Sequence, residues 1–146
     1  MKTVLEIEKE ILDFKNQGEK FLSSEDFSNQ LLDSILEITK NINKINQCYL
    51  ELFPLIDELS ALKVSSDEDF NALKEIILEL SQFTTKTSIL FSSMSKNKLI
   101  KSGCKSALYD LRANIRSLRE YLEDLEETFL LEEDETDIES AISELL

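Results

Sequence analysis

The stretch Leu31–Leu59, LLDSILEITKNINKINQCYLELFPLIDEL, decides the fold. Its apolar residues are Leu31, Ile35, Ile38, Ile42, Ile45, Tyr49, Leu52, Ile56 and Leu59, alternately four and three positions apart. A half-buried strand would repeat every second residue, whereas this spacing returns to one face of a helix. Sustained over four repeats, it is a heptad seam. Ser23, Ser24, Glu25 and Asp26 precede it as cap and first-turn residues, so the spacing predicts a helix from about Glu25 to about Lys63. Pro54 falls at an outward heptad position, where it kinks the helix without entering the core. A full break near Phe53 is the alternative.

Two further seams follow. Ser66 with Asp69 three residues on resembles a capping box and opens a helix whose seam is Phe70, Leu73, Ile77, Leu80, Thr84, Thr87, Phe91 and Met94. Ile76, Phe83 and Leu90 add a second stripe, as a helix packed against two neighbours requires. Thr84 and Thr87 are polar where the seam should be apolar, and the Ser/Thr-rich second half has weak helix propensity. Ser95-Lys96-Asn97 reads as a turn. The last seam is Cys104, Leu108, Leu111, Ile115, Leu118, Leu122, Leu125 and Phe129, with Gly103 marking a late helix start or a close helix approach.

The N-terminal segment is apolar at Val4, Leu5, Ile7, Ile11, Leu12 and Phe14, and again at Phe21 and Leu22. Gly18, between these groups, is expected to end or weaken its helix. Glu132-Glu133-Asp134-Glu135 is a like-charge block expected to fray or loop, and Ile138, Ala141, Ile142, Leu145 and Leu146 suit a short terminal helix. The expected fold is all-α: a left-handed, up-down antiparallel four-helix bundle of three long heptad helices plus an N-terminal helix. Residues 1–131 form the bundle domain and 132–146 an acidic C-terminal segment. The stretch from Glu25 to Leu130 has the length of a spectrin-type repeat but lacks the tryptophan usual there, so no family follows from it.

Composition agrees and excludes several chemistries. The chain has 146 residues, 42% of them apolar, with 2 Gly, 1 Pro and no Trp. So few turn formers disfavour a sandwich or barrel. With no His there is no Ser-His-Asp or Cys-His pair, no imidazole ligand and no Glu-x-x-His di-iron site. Cys48 and Cys104 fit no CxxC pattern and are expected to be reduced, buried thiols. No metal, cofactor or catalytic residue is expected, and the chain is read as a non-enzyme. No apolar run reaches a membrane span and no signal-peptide core is present, so the expected location is cytoplasmic, away from membranes.

Charge is the remaining signal. The net charge is −14, with 30 acids against 16 bases. Residues 96–119 carry +6 and residues 120–146 carry −12. If the last helix climbs back antiparallel from the turn near Asn97, Glu123, Asp124, Glu126 and Glu127 reach the level of Asp57, Glu58, Asp67, Glu68 and Asp69. With Glu132, Glu133, Asp134 and Glu135 these form an acidic pole. Lys98, Lys105, Arg112 and Arg119 recur every seventh residue as a basic stripe beside the seam. The pole reads as a solvated face or as a docking site for a basic surface. The stripe reads as intramolecular pairing or as a partner contact. Direct nucleic-acid binding is disfavoured by the surrounding negative field. The expected function is a small protein–protein interaction module, of inhibitor, immunity, antitoxin or accessory-subunit type. The alternative is a self-associating structural bundle, with Phe53, Leu55 and Leu62 widening the apolar face.

Overall fold

The computed structural model describes residues 3–22 and 35–130. The expected caps Ser23–Asp26, the seam residue Leu31, the acids Glu132–Glu135 and the terminal stripe Ile138–Leu146 lie outside them. The helices are α1 (Val4–Leu22), α2 (Ile35–Ser60), α3 (Asp67–Ser95), α4 (Lys98–Gly103) and α5 (Lys105–Leu125), and α5 continues into a π-helical turn, Glu126–Leu130. The chain is an all-α helical bundle, with no strand among the described residues.

The seams form its interior. Ile38, Ile42, Ile45, Tyr49, Leu52, Ile56 and Leu59 of α2 are buried, as are Leu73, Ile76, Ile77, Leu80 and Phe83 of α3. On α5, every seam position from Leu108 to Leu125 is buried. Pro54 sits exposed inside α2, and the helix runs through it to Ser60. The proline costs the hydrogen bond to the Leu50 carbonyl, on the solvent side. Ser66 caps α3, its hydroxyl accepting from the Asp69 amide at 3.1 Å. Thr84 and Thr87 are tolerated in the core because their hydroxyls donate back to the Leu80 and Phe83 carbonyls, both at 2.7 Å. Tyr49 is fully buried beside them, its ring 5.2 Å from that of Phe83.

Consecutive long helices alternate in direction, but they do not form a simple ring. α1 packs on α2 and α3, and α5 packs on α2 and α3. α2 and α3 therefore face each other across the diagonal, with α1 and α5 on opposite flanks. Lys15 pairs with Glu79 and Glu19 with Lys86, so α1 runs parallel to α3. Thr39 meets Cys104, and Asn46 meets Asn114, so α2 runs parallel to α5. Of the spatial neighbours, only α1–α2 and α3–α5 are antiparallel. The width of the apolar face of α3 is thus used: one side meets α1 and the other α5.

Both glycines act through space, since neither adopts a positive φ. Gly18 does not end α1, contrary to expectation. It lies buried within the helix, where an added Cβ would stand 2.8 Å from Cζ of Phe83. Its lack of a side chain is what lets α1 close on α3. Gly103 ends α4, and a Cβ there would stand 2.6 Å from Cγ2 of Ile35. Here both sequence readings hold: Gly103 marks a close approach, and the main helix starts late, at Lys105.

Candidate functional site

The joint between α4 and α5 sets the height of every charged residue on α5. Asn97 caps α4 by accepting from the amides of Leu99 and Ile100 at 3.1 and 3.3 Å. The helical path breaks at Cys104 (φ −113°, ψ 26°) and restarts as α5. Seven residues are thus spent across the end of the bundle instead of along it. Arg119 lies level with Ser88, its Nη2 donating to Ser88 Oγ at 2.7 Å. Counting antiparallel from that pair, Glu127 stands near residue 80 of α3. Asp67 lies about 20 Å further on at 1.5 Å per residue.

The single acidic pole is therefore divided. Asp67, Glu68 and Asp69 form the first turn of α3, where negative charge suits the helix N-terminus. They do not join the acids of α5. Glu123, Asp124, Glu126 and Glu127 are all exposed and instead lie toward the C-terminal end of α2, which carries exposed Asp57 and Glu58. Tyr121 links the two helices, its ring stacked 5.3 Å from Phe53. Partial burial and then the Asp57 carboxylate push its phenol above the ordinary value. Because α2 and α5 are parallel, the C-terminal end of α2 and the last α-helical turn of α5 converge here, α5 continuing through the π-helical turn Glu126–Leu130. Neither has a basic residue in its last turn.

The basic stripe is also divided. Lys98 belongs to α4 and is out of register with Lys105, Arg112 and Arg119 on α5. The Thr39–Cys104 contact brings Lys40 of α2 toward Lys101 and Lys105. Arg112 and Arg119 join Arg116, which the heptad reading left out of the stripe. The three arginines line one wall of a furrow of about 550 Å³ between α3 and α5, above Ile115 and Phe91. A second hollow of about 240 Å³ continues it past Arg119 to Glu123 and Glu126, against Ser81, Thr84 and Thr85. The furrow therefore runs from a basic half to an acidic half. Among the described residues, Arg112, Arg116, Glu120 and Glu123 make no ion pair.

Sequence reasoning also missed the buried polar groups. Lys15 is only 6% exposed and lies between Glu79 and Glu19, with net effect to hold its ammonium above the ordinary value despite its burial. Asn46 is buried between α2 and α5, donating to the Ala107 carbonyl and accepting from Asn114, both at 3.1 Å. An interior Asn in an otherwise apolar seam fixes register, and here it fixes a parallel pair. Cys48 and Cys104 are buried free thiols, and burial pushes that of Cys48 up. Among the described residues, no group of three or more acidic or thiol ligands could hold a metal ion. No described helix is long and apolar enough to cross a membrane.

Glu8 has one carboxylate oxygen buried without a partner. Burial, and then Glu75, raise its pKa above 4.5. The folded state thus holds the Glu8 proton more tightly than the unfolded state, and stability falls as pH rises from 4.5 through the raised value. Glu8→Gln is expected to be more stable than the native chain at pH 7. The difference should fade below pH 4.5, where both side chains are neutral, and urea titrations at the two pH values measure it.

The chain matches no known protein family, no characterised protein and no solved structure.

Proposed function

We propose that this chain is a non-catalytic, acidic interaction module that docks on a basic surface of a larger protein. It would act as an inhibitor, an immunity or antitoxin-type protein, or an accessory subunit. The observation that carries this reading is the convergence of acids at the C-terminal end of α2 and at the last α-helical turn of α5. Asp57, Glu58, Glu123 and Asp124 occupy the last turns of two parallel helices, and Glu126 and Glu127 extend them. Asp57 and Glu58, in the last turn of α2, oppose its macrodipole, at about 0.3–1 kcal/mol each. Clustering them adds like-charge repulsion. A face that opposes its own fold in this way gains when a cationic surface covers it, and its field speeds encounter.

The competing reading, association through the heptad seams, has less support. Leu55 is buried, and Phe53 and Leu62 pack on the chain's own core. These flanking residues are consumed within one molecule.

The test combines stability with binding. The triple variant Asp57→Asn, Asp124→Asn, Glu127→Gln is expected to be more stable than the native chain, by about 1–2 kcal/mol in urea denaturation. In pull-downs from the native host, the native chain should recover a basic protein at low salt and release it at high salt. The variant should fail to recover it. Equal recovery by both forms, or a variant less stable than the native chain, overturns the assignment.

A further inference from the structure

We infer that the furrow between α3 and α5 is a self-association surface, filled by the same furrow of a second copy in antiparallel register. The argument rests on the order of charge along α5. Arg112, Arg116 and Arg119 are followed by Glu120 and Glu123, all exposed and all lining the furrow. A sequence of positive then negative charge on one face is complementary to itself once reversed. Two-fold contacts require that property, because each patch meets its own copy.

The register follows from the numbering. An axis crossing α5 near Leu118 brings Arg116 opposite Glu120 of the second copy, and Arg112 opposite Glu123. Four ion pairs form across the axis, two from each furrow. Among the described residues none of these four side chains makes an ion pair, although Arg116 and Glu120 stand one turn apart on the same helix. Arg119 falls nearest the axis, where it would face its own copy. It is instead turned onto Ser88 Oγ at 2.7 Å, which keeps it out of that contact.

Apolar surface supports the same face. Tyr109, 73% exposed, precedes Arg112 and Arg116 by three and seven residues and so lies on their side of α5. Ile89, 66% exposed, lies one turn beyond Thr85 on α3. Isolated exposed apolar residues are ordinary, but these lie outside a furrow whose own floor is apolar, at Phe91 and Ile115. The acids Asp57, Asp124 and Glu127 used in the docking test above are not among the four paired residues. Each reading can fail without the other.

The experiment is sedimentation velocity on the full chain at about 0.15 M salt, where a Debye length of about 8 Å screens the net charge of each copy. Native protein is expected to move from monomer to dimer across the micromolar range. Arg112→Glu/Arg116→Glu and Glu120→Arg/Glu123→Arg are each expected to weaken the dimer by more than about a hundredfold, because like charges now oppose. Circular dichroism confirms that both remain helical. Mixed in equal amounts, the two variants should form a heterodimer of native affinity. A native chain that stays monomeric, a dimer indifferent to either reversal, or a mixture that stays monomeric each overturns the inference.

Discussion

Replacing Leu118 with alanine should lower stability by about 2–5 kcal/mol, and Leu111→Ala should do the same. Both residues are fully buried on α5, between α2 and α3. Truncation removes apolar transfer energy and leaves a hole lined by residues of both diagonal helices. Those helices cannot collapse into it, because α1 holds them apart from the opposite flank. Urea denaturation gives the number directly. Leu36→Ala, at a position 76% exposed in α2, should stay within about 0.5 kcal/mol and serves as the control. A loss below about 0.5 kcal/mol at both Leu111 and Leu118 would remove the basis for placing α5 in the core.

Gly18→Val should be the most damaging small change in α1, at about 1–3 kcal/mol of overpacking. Helix propensity alone predicts the opposite sign, since valine is the better helix former by a few tenths of a kcal/mol. Packing decides, because a Cβ would lie 2.8 and 2.9 Å from two atoms of the Phe83 ring. That ring is fully buried and backed by Tyr49 at 5.2 Å, so it has no free direction of retreat. Phe83→Leu in the same chain opens the space. The double variant should therefore lose less than the sum of the single losses, a coupling that a double-mutant cycle isolates. Additive losses would mean that α1 does not close on Phe83.

These cases also mark how far the sequence could be read. The period alone located the core: the α5 seam is buried from Cys104 to Leu125, and the second stripe at Ile76 and Phe83 announced a helix with two neighbours. Period carries no information about which helix lies beside which, so the parallel α2–α5 pair was not legible. Asn46 and Asn114 fix that pair, but they look like ordinary surface amides until they meet. Gly18 was misread because a glycine in a helix is judged by propensity unless its partner ring is visible. The division of the acidic pole traces to Cys104. Heights measured straight up from the turn near Asn97 set every acid of α5 too far along α3.

Placing α1 and α5 on opposite flanks of the α2–α3 diagonal also divides the molecule in time. Local openings of a native protein follow cooperative units, and the two flanks share no substantial contact through which to cooperate. α1 is tied to the rest by Val4, Ile7 and Ile11, by the Gly18–Phe83 closure and by the Lys15 ion pairs, and α5 is tied by the asparagine pair and its own seam. Amide protons of α1 can thus exchange through a detachment that leaves α5 protected. The surface this uncovers is the apolar side of α2 and α3 remote from both the acidic end and the furrow. The molecule can therefore loosen on one flank while its charged faces keep their shape.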